Sequence, residues 1–435
     1  MIHRTPRLVA AAGVTALAVS AIGIGHVGAE SDGGWTVDTE DCPDPEATNA
    51  PIEGTITIGS AMPLSGPVAA AFEPAARGFE AYVAYANENE LLPGVTIEVD
   101  IQDDAYDPSL TPGVVQGLID SGVHLFSGNI GTANNLAVLD TINEECVPHL
   151  NLLTGDPVWG EEIGDYPWTT GLLTPYSHET QGYADYIAAN YPDATVATYF
   201  VNNEFGNVFN DSFHEAADEA GLTLGAEQSI EAGDNAPPVA QVSSFADEAP
   251  EVIVGVPLGV QCATFLAELA NAKAENPDWA PAVFLTSTCA SPLILGLAGE
   301  AATGLFTSAS MGLYDVLDPA TAEIESVATY LAAMEAQGLT DIVTTGGAGW
   351  NAAEVTVAIL IQASESEAGL TQASIIEAAR SLDFHPTLLR ENLHNYLMNG
   401  EDDAYYSEDV QIITYDAAAG HFADVGEPYS YETSE

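Results

Sequence analysis

Two serines near the first predicted turn are candidate nucleophiles of an enzyme. Ser60 and Ser65 lie in the stretch GSAMPLSG. The sequence contains neither the G-x-S-x-G nucleophile elbow nor the S-x-x-K pattern, and it has no Walker phosphate loop. A catalytic serine also needs a base beside it, and nothing marks one here. The sequence therefore favours a binding protein over an enzyme, with a hydrolase as the less favoured alternative.

Acidic and histidine side chains do not show the spacing of a metal site. Asp103 and Asp104 follow a predicted strand, but the spacing and the closing glutamate of an EF-hand loop are missing. The H-E-x-x-H pattern of zinc proteases is also absent. We expect the two aspartates to cap the end of the strand, and we expect no metal and no cofactor.

The stretch from Thr55 to Glu88 predicts the elements that would position a site. A β-branched run at 56–59 is followed by the turn PLSGP, and then by apolar residues at spacings of three to four, as in an amphipathic helix. Strand, glycine-containing turn and helix form the first half of a βαβ unit. Ligands bind at the carboxyl ends of the strands in such units, so this turn is a candidate binding position.

Strand-like and helix-like runs alternate regularly after residue 52. One series runs from there to about residue 157, and a second begins at the helix predicted for 177–190. Alternating βα units predict an α/β fold with parallel sheets and helices on both faces. The tail, at 405–415 and 421–425, predicts irregular hairpins.

The chain is strongly acidic. Its 435 residues contain 6 Lys+Arg against 65 Asp+Glu, a formal net charge of -59. This balance excludes nucleic acid as a partner, because phosphate binding needs a basic surface. The acidic residues are spread along the chain, which indicates adaptation to concentrated salt, where screening suppresses self-repulsion.

The N-terminal residues are typical of an export signal. Arg4 and Arg7 precede an apolar run over 8–27, and small residues before Glu30 resemble a cleavage site. We predict a cleaved signal over residues 1–29 and an extracytoplasmic protein. The alternative is a retained membrane anchor, because the run approaches the length that spans a bilayer.

Four cysteines follow this signal, and an even number in an exported protein favours disulfides. Three connectivities are possible. We expect Cys42–Cys146, which would attach an N-terminal arm (residues 30–51) to the first βα series, and Cys262–Cys289, which would join one βα unit to the next. The sequence contains no C-x-x-C pair, so the cysteines do not indicate a zinc site. Four free thiols are the remaining alternative.

Seven stretches in order resemble the type I periplasmic solute-binding proteins of ABC importers, in the branch of the leucine/isoleucine/valine-binding protein. They extend from residue 56 to about residue 310 and are specific by their order and spacing together. The stretches are ITIGSAMPLSGPVAAAF with ARGFEAYVAYANE, IEVDIQDDAYDP, FSGNIGTANN, HLNLLTGDP, FVNNEFGNVF, VFLTSTCASP and LAGEAATGLFTSAS.

This resemblance implies two Rossmann-like lobes that close around a ligand by a hinge motion. The lobes would be joined by three crossings, near 168–174, 310–314 and 384–389. The first lobe would comprise residues 52–172 plus 312–385, and the second 173–311 plus 386–435.

The resemblance also implies a binding site by position, in loops able to hold a carboxylate with hydroxyls and backbone N–H groups. Local sequence alone favours helix capping for threonines at these places, whereas the family position favours binding. The aromatic residue expected after the first turn corresponds to Ala71 or Phe72. The implied ligand-binding residues are Phe72, Thr132, Ala133, Leu153, Thr154, Gly155, Phe205, Pro257 and Thr288.

Thr288 departs from the family pattern. Members that bind amino acids often have Asp or Glu there to receive the ligand's ammonium, and a buried charge without a partner is costly. We therefore expect a small organic solute, either branched-chain amino acid-like, an amide or an aromatic carboxylate. The resemblance implies delivery by a monomer to a membrane permease; a sensing receptor ectodomain is the alternative.

Overall fold

The computed structural model of the protein describes residues 34–66 and 68–432, so the predicted export signal at 1–29 lies outside the described residues. The strands are β1 Gly54–Met62, β2 Val95–Asp103, β3 Leu125–Ser127, β4 His149–Leu152, β5 Thr169–Gly171, β6 Thr195–Asn202, β7 Thr223–Glu231, β8 Val252–Val256, β9 Ala282–Leu285, β10 Phe306–Ser308, β11 Asp383–Phe384, β12 Tyr396–Leu397, β13 Asp409–Val410, β14 Ile412–Asp416, β15 His421–Asp424 and β16 Tyr429–Ser430. The helices are α1 Pro45–Thr48, α2 Ala69–Glu88, α3 Thr111–Ser121, α4 Thr132–Leu136, α5 Leu139–Glu144, α6 Val158–Glu161, α7 Tyr176–Asn190, α8 Glu204–Glu219, α9 Val239–Glu248, α10 Val260–Glu275, α11 Pro292–Ala298, α12 Glu325–Ala336, α13 Gly346–Glu365 and α14 Gln372–Ala379.

The first sheet is parallel throughout and has the order β2-β1-β3-β4-β5. Helices α2 and α13 pack against each other at backbone distance. A Cβ atom on Gly349 would lie 1.7 Å from the carbonyl oxygen of Ala75, and one on Gly78 would lie 1.9 Å from that of Gly346. Glycine at these positions is what allows the two helices to approach so closely.

The second sheet has the order β15-β14-β10-β9-β8-β6-β7. Strands β6 to β10 are parallel, as predicted, but β14 pairs antiparallel with β10, and β15 pairs antiparallel with β14. The expectation of a purely parallel second sheet is therefore wrong at one edge. The predicted hairpin in the tail is regular, and it extends this sheet.

The chain passes three times between the two sheets. It leaves the first sheet after β5, returns at 310–314 to the helices α12 and α13 that contact α2, and leaves again at 386–390 toward β14. The second and third passages lie side by side, with a bridge between Leu313 and Leu389. We call each sheet with its packed helices a lobe. The lobe boundaries given above remain predictions.

Both expected disulfides are confirmed. Cys42–Cys146 ties the arm to the segment after α5, with Cα atoms 5.6 Å apart. Cys262–Cys289 ties α10 to the short helical turn at Ser287–Cys289, with Cα atoms 5.9 Å apart. Over residues 34–66 and 68–432, none of the helices has both the length and the apolarity needed to cross a bilayer.

Candidate functional site

A cavity of about 190 Å³ lies between the two lobes. Its wall is made by the first turns of α2, by loops that follow β3, β4 and β9, by the second and third passages between the sheets, and by the start of α13. Residues that line it include Ala71, Phe72, Ala75, Ile130, Leu153, Leu173, Ser287, Thr288, Ser291, Ser310, Met311, Tyr314, Asp315, Thr344, Ala348, Leu388, Arg390, Ile413 and Phe422.

Sheet topology places the cavity there. The loops after β3 and β4 emerge at the carboxyl edge of the first parallel sheet, and they meet through a bridge between Ile130 and Leu153. The loop after β9 emerges at the corresponding edge of the second sheet. Parallel strands therefore bring loops from distant parts of the sequence to one cleft, where ligands of open α/β sheets bind.

Three of the residues implied by the family resemblance line this cavity: Phe72, Leu153 and Thr288. The ring of Phe72 stacks on Tyr106, with centroids 6.0 Å apart and planes 6° from parallel. The Oγ1 atom of Thr288 is buried and has no hydrogen-bond partner within the described residues. Thr288 therefore places a buried hydroxyl without a partner beside the cavity.

The two other predicted hydroxyls are close together but do not line the cavity. Thr132 Oγ1 and Thr154 Oγ1 are 2.7 Å apart, and Thr154 Oγ1 is 3.4 Å from the hydroxyl of Tyr176. Tyr176 belongs to the second lobe and packs on the ring of Phe205, with centroids 5.4 Å apart. In this conformation the hydroxyl pair is therefore covered by aromatic rings of the opposite lobe.

The remaining predicted residues also lie outside the wall. Ala133 follows Thr132 in α4, and Pro257 places its carbonyl oxygen near the sulfurs of both Cys262 and Cys289. Gly155 lets the chain fold tightly, because a Cβ there would lie 2.5 Å from the carbonyl oxygen of Thr174. The role of these residues in binding remains a prediction.

The two lobes touch across the cleft. Helix α4 of the first lobe contacts α8 of the second, and Gly259 lies against Val68. Thr132 and Thr154 are each only 1 % exposed. In this conformation the two lobes are therefore in contact, and the hydroxyl pair is buried between them.

Two charged side chains, Arg390 and Asp315, line the cavity. The carboxylate of Asp315 accepts hydrogen bonds from the backbone N–H groups of Leu317 and Phe422, at 2.9 and 2.8 Å. Nη1 of Arg390 lies 3.0 Å from Oδ1 of Asp424. Burial lowers the pKa of Arg390, although the nearby carboxylate of Asp424 opposes this shift. Arg390 is the only cationic side chain among the described residues of the wall.

A buried carboxylate, Glu179, fixes the turn that presents Thr288. Glu179 accepts hydrogen bonds from the backbone N–H and the hydroxyl of Ser287, and from the hydroxyls of Tyr183 and Ser308. Burial raises the pKa of Glu179, and these hydrogen bonds work against that shift. Together with the disulfide at Cys289, Glu179 holds this side of the cavity in place.

One group of carboxylates has the spacing of a possible cation site. Oxygen atoms of Asp403, Glu408 and Glu432 lie within 4.8 Å of one another. None of these three residues lines the cavity. We assign no metal to them, because acidic groups are often close together in so acidic a protein.

Sequence reasoning missed Tyr176, Glu179 and Arg390. The sequence could have identified Arg390 as a candidate, because it is one of only four basic residues after residue 33. It offered no such indication for the other two, because burial of a glutamate or of a tyrosine hydroxyl depends on long-range packing.

The sequence matches a family model described as periplasmic binding protein over residues 55–396. It is 26 % identical over 180 residues to a Leu/Ile/Val-binding protein homolog 3 from Brucella melitensis, covering 41 % of this chain and 48 % of that protein. It is 24 % identical over 182 residues to a leucine-, isoleucine-, valine-, threonine- and alanine-binding protein from Pseudomonas aeruginosa, again covering 41 % and 48 %. The match thus spans about half the length of these curated relatives.

Solved structures share the fold over most of the chain. A branched-chain amino acid ABC transporter protein from Thermus thermophilus with bound valine has a TM-score of 0.74 at 21 % identity, covering 87 % of this chain and 97 % of that one. A fatty acid ABC transporter substrate-binding protein from Thermomonospora curvata has a TM-score of 0.73 at 18 % identity, covering 87 % and 93 %. At these identities the likeness establishes the fold.

Proposed function

Because the chain belongs to the periplasmic binding protein family, we propose that it is an extracytoplasmic substrate-binding protein that delivers a small organic solute to an ABC importer. It would act as a monomer, without a cofactor, and would release the solute unchanged to a permease in the membrane. The single observation that supports this most is the cavity between the lobes, whose wall takes residues from both lobes and from two passages between them.

Hinge closure is the proposed mechanism. Solute would enter between separated lobes and contact the first lobe at Phe72 and Leu153. Closure would then add contacts from Thr288 of the second lobe. A solute that gains contacts only in the closed form shifts the population toward that form by its difference in affinity for the two.

The wall of the cavity limits what the solute is. The Brucella and Thermus proteins are named for branched-chain amino acids, the Pseudomonas protein for these with threonine and alanine, and the Thermomonospora protein for a fatty acid. In this chain, Asp315 is the only carboxylate among the described residues of the wall, and each of its oxygens accepts a hydrogen bond from a backbone N–H group. An ammonium group would have to share this carboxylate with those N–H groups and would lie in a wall that also holds the guanidinium of Arg390. The proposal therefore favours solutes without a positive charge, such as amides and carboxylates.

A thermal-shift screen in concentrated salt, with small-angle scattering, tests the function. The panel comprises aliphatic amino acids, amides, aliphatic acids and aromatic acids. A solute present at about a hundred times its dissociation constant adds about 2.7 kcal/mol to the stability, which is readily measured. We expect at least one compound to raise the melting temperature and reduce the radius of gyration. Failure of every compound, or chemical conversion of any of them, would overturn the proposal.

A further inference from the structure

We propose that the solute is a hydrophobic monocarboxylate whose carboxylate binds the guanidinium of Arg390. This inference rests on the proposed function and names the class of solute for the same cavity. Two independent observations support it: a buried cation placed at the wall of the cavity, and the apolar character of the surface around it.

Arg390 is one of two buried arginines, with Arg380, among the described residues of this chain. Only six of 435 residues are Lys or Arg, against 65 acidic residues, and ordinary surface cations are almost missing. Arg390 is nevertheless only 4 % exposed. Burying a guanidinium is costly unless its charge and its N–H groups are compensated. The guanidinium of Arg380 donates to three backbone carbonyl oxygens away from the cavity, whereas Arg390 lies at the cavity wall.

The carboxylates of Asp424, Asp315 and Asp318 compensate the charge of Arg390, but the hydrogen bonding of its guanidinium is incomplete. Nη1 donates to Asp424, whose side chain is 49 % exposed, and the guanidinium carbon lies 5.4 Å from the ring centroid of Tyr314. The Nε–H of Arg390 is buried and has no hydrogen-bond partner within residues 34–66 and 68–432. A guanidinium has five N–H donors in a planar fork that matches a carboxylate. Arg390 therefore retains donors for an anionic group.

The rest of the wall suits an apolar body. Side chains from both lobes and from the passages between them present carbon to the cavity: Phe72, Leu173, Met311, Leu388 and Ile413. The hydroxyls at the wall, such as that of Thr288, are neutral. A solute with one negative end and an aliphatic or aromatic remainder complements this arrangement if its carboxylate lies at Arg390 and away from Asp315, the one carboxylate of the described wall.

The position of Arg390 in the chain also connects the solute to closure. Its backbone N–H donates to the carbonyl oxygen of Gly312, at 3.2 Å, so it joins the third passage to the second. Its partner Asp424 lies in β15, at the edge of the second sheet. A carboxylate on the guanidinium would contact a residue that touches both passages and the second lobe, which the proposed hinge motion would reorient.

The rival explanation is that Arg390 only fastens the β14–β15 hairpin to the third passage through Asp424. Binding of three compounds that share one carbon skeleton distinguishes the two explanations. The compounds are 4-methylpentanoate, its amide and leucine. The proteins are the full chain and its variants Arg390→Gln, Arg390→Lys and Asp424→Asn. Affinities are measured by calorimetry in concentrated salt, with circular dichroism as the check of folding.

If the carboxylate binds Arg390, the unchanged protein prefers 4-methylpentanoate to the amide and to leucine by about tenfold or more, the size expected of a charge-assisted hydrogen bond. Arg390→Gln loses that preference and keeps its affinity for the amide. Arg390→Lys keeps the positive charge but lacks the planar fork of N–H donors. Its preference for the acid should therefore lie between that of the unchanged protein and that of Arg390→Gln. Asp424→Asn breaks the ion pair but retains the preference for the acid.

Three results would overturn the inference. They are equal binding of acid and amide by the unchanged protein, equal loss of both compounds in Arg390→Gln, and loss of the acid preference in Asp424→Asn. If Arg390→Gln does not fold, the acid preference of the unchanged protein and its reduction in Arg390→Lys decide the question. Binding of leucine or the amide without preference for the acid refutes this inference alone, whereas no binding by any compound of the wider panel refutes the proposed function too.

Discussion

The hydroxyls of Thr132 and Thr154 lie 2.7 Å apart and are sealed from solvent beneath Tyr176. They come from loops after two neighbouring strands of the first sheet, and the ring that covers them belongs to the other lobe. This arrangement links the stability of the closed form to the predicted binding hydroxyls.

Replacing Thr154 with valine should destabilise the protein, because it leaves the buried hydroxyl of Thr132 without its partner. We expect a loss of about 1–3 kcal/mol in the free energy of unfolding, the usual penalty for an orphaned buried polar group. The control is the double replacement of Thr132 and Thr154 by valine, which removes both partners and should cost less than the sum of the two single changes. Urea unfolding in concentrated salt measures both, and strict additivity would contradict the pairing. If Thr154 also contacts solute, as predicted, Thr154→Val weakens binding as well.

Breaking the Cys262–Cys289 disulfide should weaken solute binding as well as stability. The bridge holds the turn that presents Ser287 and Thr288 to the cavity. Replacing both cysteines with serine should lower the free energy of unfolding by about 3–4 kcal/mol, from loop entropy. The matched control replaces Cys42 and Cys146 with serine.

The control disulfide closes a longer loop and should cost at least as much stability, yet it should leave affinity unchanged, because it fastens the N-terminal arm away from the cavity wall. Calorimetric titration with a solute identified by the thermal-shift screen compares the two double variants. Equal affinities in both would show that the Cys262–Cys289 bridge does not position the site.

Glu354 should make stability fall as the pH rises. Burial raises the pKa of Glu354 to about 7, although hydrogen bonds donated by the backbone N–H and the hydroxyl of Thr387 oppose the shift. Between its ordinary pKa of 4.5 and this value, the folded state holds a proton that the unfolded chain has released. The free energy of unfolding therefore decreases across that window, by at most about 1.4 kcal/mol per pH unit, and levels off above it.

The variant Glu354→Gln has no titrating carboxyl at this position. Its free energy of unfolding should therefore lack this contribution to the decrease with pH. Its stability relative to the unchanged protein should therefore rise from pH 4.5 to pH 7. Glu365, exposed at the end of the same helix, supplies the control Glu365→Gln, which should retain the slope. Parallel curves for the unchanged protein and Glu354→Gln in chemical denaturation across this range would refute the assignment.

Adding a methyl group at Gly349 should disrupt the packing of α13 on α2. The new Cβ would lie 1.7 Å from the carbonyl oxygen of Ala75, which is backbone and cannot rotate away. We expect Gly349→Ala to cost at least about 1–3 kcal/mol, as for an overpacked core. In contrast, a Cβ on Gly117, in α3, meets nothing within 4 Å, so Gly117→Ala should stabilise the helix by up to about 1 kcal/mol. Thermal unfolding of both variants tests the contrast, and equal effects would contradict the close approach.

Local pattern predicted the parallel βα series, and the number of cysteines together with the export signal predicted disulfides. The run at 56–59 became β1, and Cys262 and Cys289 bridge neighbouring units as expected. The helix predicted for 177–190 is α7, which begins one residue earlier, and the hairpin segment predicted for 405–415 is divided into β13 and most of β14. These differences concern the ends and the continuity of elements, where local preferences are weakest.

The candidate site was less predictable, because burial is decided by distant parts of the chain. The resemblance pointed to Thr132 and Thr154, but which residues face the cavity depends on how the lobes meet. Arg390 and Glu179 act through partners far away in sequence, such as Asp424 and Ser287. The strand β14 was also missed as part of the sheet, because its partner β10 is separated from it by three helices.

The position of β14 has a consequence for how the molecule is made. Strand β10 lies between β9 and β14, so until the tail has been synthesised it presents bare backbone N–H and carbonyl groups on one side. An exposed edge strand of this kind pairs readily with other chains. A nascent polypeptide arrested before Ile412 would therefore remain prone to association. Only the final hairpin, β14 and β15, would cover the free edge of β10 and prevent the second sheet from pairing with other copies of the chain.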